Sequence, residues 1–436
     1  MTIFKRTIFH ILLVSIFFVG GIKNVLGQSV KILEEKLISG NINYPLNEPH
    51  LISDPNDPNN LAVASILTKK WTTAEPESHI VLLQSWDAGK TWEENHFDKN
   101  IMRAADPWLA MNKKGTLLLT SLNKIHGKSF VFLLVFISPD GGKTWQEEIL
   151  NLGSAHDRQS IVVDPRTQDF IIVSSKFNYD SNNKWVTGLS ITRLTSNGSL
   201  RESNWHALSN IDINNGTPII NSKNELLIPY VDYLVNNKWL KTRRSWLIKS
   251  PDLGRTFRAP VLINEDGSFP RILIDTTDHA IPLLHSLRTD GTFREYLGFT
   301  VQTSTDEGYT WTDEVDVDHY NGENPYIRSP EWAINNAGVI GVFFCDRRAS
   351  KDSLSHDLFF AYSKDLPKSF EPATRVSSKS SKPNPEKNGK VDERWPTGGD
   401  YYGMEAILDG KFRVVWVDHR NGPPQLYYAL IEIAYK

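Results

Sequence analysis

Short runs of Val, Ile, Leu, Phe and Tyr recur along almost the whole chain, separated by turns rich in Asn, Gly and Asp. Such runs, with turns at regular spacing between them, are typical of β-strands. Taken in order they form seven units, each with a short inner strand, a second strand after a polar turn, and a third strand. No stretch beyond the N-terminal segment keeps a helical period. The pattern therefore predicts an all-β chain of repeated units.

Four copies of one signature, S-x-D-x-G-x-T-[W/F], follow the third strand of their units. They are 53, 112 and 54 residues apart and begin at Ser85, Ser138, Ser250 and Ser304. The double interval predicts a decayed copy at residues 195–198, and residues 363–370 form a degraded copy in the sixth unit. Because Asp bonds nearby backbone N–H groups and Gly accepts a positive φ, the signature predicts a tight turn with a structural role.

The seventh unit has three strands of its own, and residues 30–38 are the expected outer strand that completes it. Such a closure leaves no unpaired edge between the first and last units. The chain is therefore predicted to form a seven-bladed β-propeller with four antiparallel strands in each blade. A six-bladed ring with one over-read unit is the alternative. Residues 28–436 are expected to form this single domain.

The N-terminal segment has the features of a secretory signal peptide. Lys5 and Arg6 precede an apolar run at residues 8–21, and small residues lie before Gln28. A membrane anchor is the alternative, but the run falls short of the ~20 residues needed to span a bilayer. We therefore expect a secreted or periplasmic protein without stable membrane insertion. The single cysteine, Cys345, lies in an apolar strand and is expected to be a buried structural thiol.

The composition limits the classes of partner that the chain is expected to bind. The 48 Lys and Arg and 51 Asp and Glu give a net charge of −3, which argues against a nucleic-acid partner. The 13 Trp and 14 Tyr supply rings that stack on sugars or pack the core. The sequence has no zinc-ligand spacing and no phosphate-binding glycine loop, so no cofactor is expected. It leaves open whether a structural calcium ion occupies the central channel. A monomer with a glycan or polysaccharide substrate is predicted.

The signature is similar to the Asp-box, or BNR repeat, of sialidases and related propellers, and the resemblance covers nearly all of the chain after residue 27. Residues 106–110, 399–403 and 416–422 also resemble segments of secreted bacterial sialidase-like proteins. The resemblance implies a propeller fold and a carbohydrate-active enzyme. The chain departs from family sialidases, which have six blades and an Arg-Ile-Pro that begins an arginine triad. Residues 43–49, in the corresponding region, contain no arginine.

The ligand face of a propeller is built by the loops that enter each inner strand and those that follow each second strand. Arginine binds carboxylates through paired N–H groups, so the predicted substrate-binding residues are Arg158, Arg271, Arg328, Arg347 and His156. The predicted catalytic residues, as acid, base or nucleophile, are Glu331, Asp106, Tyr402 and His285. Alternatively, residues 346–347 and 418–420 form internal ion pairs with neighbouring blades, and His285 is an ordinary hydrogen-bonded core histidine.

Together these residues predict a sialidase-like exo-glycosidase acting on a glycan that contains sialic or uronic acid. A polysaccharide lyase is the first alternative, in which a His or Tyr removes the proton beside a uronate carboxylate that arginine neutralises. A non-catalytic propeller that binds glycans or serves in assembly is the second, because a fold does not determine a function.

Overall fold

The computed structural model describes residues 28–70, 77–179, 183, 185–208, 211–235, 238–265, 270–275, 280–288, 296–318, 328–352, 354–365, 368–407 and 409–435. The predicted signal peptide, residues 1–27, lies outside this part of the chain. Neither helix within it is long and apolar enough to cross a membrane.

Seven antiparallel sheets follow one another along the chain, which confirms the seven-bladed propeller over the six-bladed alternative. Strand β1 (Gln28–Leu37) comes first in sequence and belongs to the last blade. Blade 1 consists of β2 (Leu46–Ser53), β3 (Leu61–Lys70), β4 (Glu77–Ser85) and β5 (Glu93–Phe97). Blade 2 consists of β6 (Ile101–Met111), β7 (Leu117–Ile125), β8 (Val131–Ser138) and β9 (Leu150–Ser154). Blade 3 consists of β10 (His156–Val163), β11 (Phe170–Tyr179), β12 (Trp185–Leu194) and β13 (Leu200–Ala207).

The remaining blades keep this order with local changes. Blade 4 has five strands, β14 (Ile211–Asn215), β15 (Ile219–Ile220), β16 (Leu226–Val235), β17 (Lys238–Ser250) and β18 (Val261–Asn264). Blade 5 consists of β19 (Arg271–Ile272), β20 (Ile281–Arg288), β21 (Tyr296–Ser304) and β22 (Val315–Asp316). Blade 6 consists of β23 (Arg328–Ile334), β24 (Ile340–Asp346), β25 (Asp357–Ser363) and β26 (Glu371–Arg375). Two short helices, α1 (Pro385–Asn388) and α2 (Lys390–Arg394), precede blade 7, which contains β27 (Gly403–Ala406), β28 (Phe412–Asp418) and β29 (Gln425–Tyr435).

The ring closes where the N-terminal strand joins the last blade. Strand β1 pairs antiparallel with β29, from Gln28 opposite Tyr435 to Leu37 opposite Tyr427. The predicted closure by residues 30–38 is thus confirmed. Between blades, apolar side chains from facing sheets fill the space, as Leu82 of blade 1 and Leu119 of blade 2 do in one buried cluster. Cys345 is completely buried in such a cluster, in agreement with a structural thiol.

The four signature turns share one set of hydrogen bonds. In each, the Ser hydroxyl donates to the Asp carboxylate at 2.8–2.9 Å and accepts from the Gly N–H at 2.7 Å. The Thr N–H donates to the same carboxylate at 2.8–2.9 Å. The predicted decayed copy is also a turn, in which Gly198 N donates to Thr195 O at 2.8 Å. These turns join the third and fourth strands, so they lie at the opposite end of the blades from the ligand-face loops.

Candidate active site

The inner strands of four blades carry a β-bulge near the mouth of the central channel. Pairing shifts between Asn47 and His50, Ala105 and Trp108, Asp157 and Ser160, and Arg328 and Glu331. One residue of each bulge has a left-handed backbone, with φ near +50°, in the series Glu48, Asp106, Arg158 and Ser329. That conformation costs a non-glycine residue roughly 1–2 kcal/mol, and bulges re-aim side chains beside active sites. The geometry therefore makes this repeated position a candidate functional site.

A sequence signal accompanies this position. In each of these four blades the inner strand is followed by an Asp or Asn whose side chain accepts backbone N–H groups of the next turn, as Asn112 and Asn335 do. Each of these turn residues lies six positions after the left-handed residue of its bulge. Asp54 follows Glu48 at this spacing, and Asp164 follows Arg158. Aligning the units on the turn residue would have found Glu48, which the sequence-based selection of catalytic residues omitted.

Two of these re-aimed residues are carboxylic acids that lie close together. The side chains of Glu48 and Asp106 are near enough that each shifts the pKa of the other. Asp400 N donates to Glu48 Oε1 at 3.3 Å. Glu48 is 3 % exposed, and a Cβ on Gly399 would lie only 2.3 Å from its Cγ. Blades 1, 2 and 7 thus enclose the pair tightly.

The surroundings of this pair favour its protonated form. Burial, followed by the charges of Asp106 and Asp400, raises the pKa of Glu48 well above its usual value. Burial and the charges of Asp157 and Asp400 raise the pKa of Asp106 to about 6, although Arg158 opposes the shift. Like charges in a desolvated site discourage a second ionisation. The pair therefore retains a proton close to neutral pH.

A cavity of about 410 Å³ occupies the channel. Its lining contains His50, Trp108, Thr217, Arg271, Glu331, Tyr401 and Glu405. Arg271 Nη1 donates to Glu331 Oε2, and Tyr402 N donates to Glu331 Oε1 at 3.3 Å. Burial raises the pKa of Glu331, and the adjacent Arg271 opposes that shift. An arginine and a backbone amide thus hold Glu331 at the cavity wall.

An aromatic wall joins the cavity to the carboxyl pair. The Trp108 ring lies 4.1 Å from His50 and 6.2 Å from Tyr401, between ring centroids. The Tyr401 hydroxyl donates to Pro107 O at 3.4 Å. Burial, then the charges of Glu48, Asp106, Asp400 and Glu331, raise the pKa of Tyr401 well above its usual value. Tyr401 therefore lies within electrostatic reach of both the carboxyl pair and Glu331.

The structure brings four of the predicted site residues together. Asp106 and Arg158 lie at the mouth, where the Arg158 charge acts on Asp106. Arg271 and Glu331 are paired at the cavity wall. The side chains of His285 and Arg328 lie outside the described part of the chain, so those two predictions stay predictions.

Three other predicted residues point elsewhere. The Tyr402 hydroxyl donates to Thr397 O at 2.7 Å, and its ring packs on Phe343 in the core. The ring of His156 bonds Ser174 Oγ at 2.8 Å and Leu152 O at 3.2 Å. The charge of Arg347 acts on the buried His356. Tyr402 still contributes to the cavity lining, but the tyrosine whose ring lies beside Trp108 is Tyr401, one residue before the predicted one.

The acidic and basic runs after the second strands form internal ion pairs, as the alternative reading expected. Asp346 pairs with Arg348, and Arg420 bonds both Asp418 and Glu35 at 2.7 Å. Next to them, His419 lies 3.1 Å from Ser381 Oγ and 3.3 Å from Asp392 Oδ1.

This Ser–His–Asp arrangement does not resemble an active site in its surroundings. Ser381 and Asp392 are fully buried, and His419 is 3 % exposed. The arrangement therefore fastens the segment that carries α1 and α2 onto blade 7. Among the residues that the structure describes, no group of three or more His, Cys, Asp or Glu side chains is placed to hold a metal ion.

Comparisons with known proteins were made by sequence and by structure. No protein-family model matches the chain, and no curated protein matches it in sequence. A protein of unknown function from Dyadobacter fermentans DSM 18053 superposes with a TM-score of 0.54 at 16% identity, over 93% of this chain and 99% of that one.

Two enzymes are more distant in structure. Hadza microbial sialidase Hz136 gives a TM-score of 0.49 at 13% identity, over 82% of this chain and 73% of the sialidase. Penicillium chrysogenum α-L-arabinanase complexed with arabinobiose gives 0.46 at 14% identity, over 75% and 93%. The expected resemblance is confirmed for the fold alone: the chain is a seven-bladed β-propeller.

Proposed function

We propose that the protein is a glycoside hydrolase in which the Glu48–Asp106 pair is the general acid and Glu331 is the second carboxylate. The observation that carries the proposal is the close approach of the Glu48 and Asp106 side chains, both on left-handed bulges at the channel mouth. Glycoside hydrolysis requires one protonated and one ionised carboxyl group beside the scissile bond. A carboxyl pair that keeps a proton near neutral pH, within reach of a carboxylate held by arginine, matches that requirement.

In this mechanism the pair donates its proton to the glycosidic oxygen as the bond to the sugar breaks. Glu331, ionised beside Arg271, stabilises the positive charge that develops on the sugar or activates the species that attacks it. The Trp108 and Tyr401 rings provide an apolar wall for the sugar ring. The predicted signal peptide supports export, and a glycan outside the cell is the expected substrate.

The lyase alternative has less support from the described residues. It requires a base whose pKa lies near the working pH. Burial, with the Arg271 charge, lowers the pKa of His50 to about 3, and the pKa of Tyr401 is raised. Neither His50 nor Tyr401 therefore has a pKa that suits a catalytic base near neutral pH.

The test measures sugar release from fluorogenic glycosides and new reducing ends from polysaccharides. We expect Glu48→Gln, Asp106→Asn and Glu331→Gln each to lower kcat/KM by about 10²–10⁴-fold. The matched control is Asp140→Asn, which changes an aspartate in a signature turn at the other end of blade 2 and should leave kcat unchanged. An unsaturated sugar product would indicate a lyase. Full activity of the Glu48→Gln/Asp106→Asn double variant would contradict the proposed acid.

A further inference from the structure

We infer that the sugar bound in the cavity is neutral and that Arg271 is a positioning residue for Glu331, rather than the anchor of a substrate carboxylate. The inference rests on the proposed function for the role of Glu331 and goes beyond it by naming the substrate class. It also differs from the anionic glycan that the arginine content of the sequence led us to expect.

The first support is the partner of Arg271. Arg271 is the one cationic side chain among the described residues that line the cavity. Its Nη1 group donates to Glu331 Oε2, and both side chains are mostly buried, with 21 % and 15 % exposed. An arginine that already forms an ion pair with a protein carboxylate gains little by binding a second one, because the guanidinium charge is neutralised.

The second support is the charge at the cavity mouth. Glu48, Asp106, Asp157 and Asp400 lie close enough that Asp106 responds to each of the other three. Among the described residues of this cluster, Arg158 is the cation that acts on Asp106. With one proton on the Glu48–Asp106 pair, these described side chains carry a net negative charge. A substrate carboxylate entering there would meet like charges in a poorly solvated space, which is unfavourable.

The third support is the rest of the lining, which suits hydroxyl groups and apolar sugar faces. His50 is neutral near pH 7, since burial lowers its pKa to about 3. Trp108 and Tyr401 offer aromatic surfaces, and Thr217 offers a hydroxyl group. The cavity of about 410 Å³ is in the range of small-molecule sites. These neutral groups can hold a sugar without a compensating charge.

The test compares matched sugars by calorimetry at pH 7, using the methyl glycosides of glucose, galactose, glucuronic acid and galacturonic acid, with sialic acid as a fifth ligand. We expect at least one neutral glycoside to bind at least tenfold more tightly than its uronic acid counterpart. Glu331→Gln releases Arg271, so this variant should bind uronic acids at least tenfold more tightly than the wild type does. Asp140→Asn is the control and should match the wild type.

The outcomes separate this inference from the proposed hydrolysis. Wild-type binding of a uronic or sialic acid in preference to every neutral sugar, lost in Arg271→Gln, would overturn the inference while leaving hydrolysis possible. Absence of binding by every neutral glycoside would overturn it as well. Neutral sugars that bind but whose glycosides are never cleaved would support the inference and contradict the hydrolase.

Discussion

Aspartates at the two ends of the same blades have opposite electrostatic surroundings. In the signature turns, the backbone N–H and the hydroxyl of Thr91 lower the pKa of Asp87 to about 2. The same two groups of Thr310, its hydroxyl first, lower the pKa of Asp306 to about 2. At the channel mouth, burial and neighbouring carboxylates raise the pKa of Asp106 to about 6. Each turn thus surrounds its aspartate with hydrogen-bond donors, whereas the channel mouth surrounds Asp106 with other acidic side chains.

The difference teaches which aspartates serve the fold and which are available for chemistry. A carboxylate whose lone pairs accept local N–H and O–H groups stabilises a turn and has a lowered pKa. A carboxyl group held among other acids on a left-handed bulge weakens the fold locally, and such sites are where function is expected. Residue type alone does not distinguish the two, because both ends use Asp beside small turn residues.

Two glycines, one at each end, give the largest expected effects. A Cβ on Gly254, where φ is +98°, would lie 2.3 Å from Ile191 Cγ2 of the preceding blade. Gly254→Ala should therefore lower the free energy of unfolding by about 2–4 kcal/mol and leave kcat of the folded enzyme unchanged. Gly399→Ala should displace Glu48 and lower kcat at least tenfold. Urea unfolding and steady-state kinetics on both variants measure these effects. An equal loss of kcat in both would contradict the view that the signature turns serve the fold and the mouth serves function.

Removing a signature aspartate should have a smaller effect, confined to stability. Asp252→Ala deprives Thr256 of its acceptor and leaves the turn without its central carboxylate. We expect a loss of about 1–2 kcal/mol in the free energy of unfolding, measured by urea titration. Asp98→Ala, at a side chain that is 52 % exposed, is the control and should change stability by less than about 0.5 kcal/mol. A loss of kcat in Asp252→Ala would show that the turns also influence the mouth.

The smallest expected effect is a dependence of stability on pH, with opposite sign at the two ends. The pKa of Asp106 is raised on folding, so its contribution to stability is largest below about pH 4 and is lost as pH rises through about 6. Asp106→Asn should therefore stabilise the protein by about 1–2 kcal/mol at pH 8 and by nearly nothing at pH 4. The lowered pKa of Asp306 has the reverse effect, so Asp306→Asn should destabilise the protein above pH 4.

Chemical denaturation at pH 4, 6 and 8 measures both variants under matched conditions. Destabilisation of Asp106→Asn at pH 8 would mean that the ionised carboxylate has a favourable partner in the folded state. That result would remove the electrostatic contrast between the two ends of the blade.

Most of the fold was predictable from the sequence, because alternating apolar strands and four signature turns recur at one interval. Seven blades and the closure by β1 follow from that regularity and are confirmed. Local departures were less visible. The inner edge of blade 4, for example, is divided between β14 and β15, which both pair with β16.

A second departure is the segment before blade 7. Residues 377–390 are rich in Ser, Lys, Asn and Pro, a composition that is typical of an exposed loop. The structure instead places two short helices at residues 385–394 and buries Ser377 and Ser381. Polar residues become internal there because His419 and Asp392 provide polar partners, and composition alone cannot show such partners.

The site was predictable in part. The loops that enter the inner strands indicated Asp106, Arg158, Arg271 and Glu331, because repeated units place equivalent residues around one axis. The choice between adjacent residues depended on backbone geometry: the Tyr401 ring lies beside Trp108 at the cavity, whereas the Tyr402 ring packs on Phe343. In the four bulged inner strands this choice also depends on the bulge, since one extra residue changes the face on which the following side chains lie.

The closure of the ring also has a consequence for how the protein is made. Asp400 N and Glu48 Oε1 meet across the junction between blades 7 and 1, although 352 residues separate them in the chain. Glu48 N likewise donates to Gly398 O at 2.9 Å. A ribosome releases the first of these segments long before the second, so the acid pair acquires its enclosure only as the last blade docks. Enzyme activity would then report completion of biosynthesis, and strand β1 would be the edge that a nascent chain must keep from pairing with a neighbour.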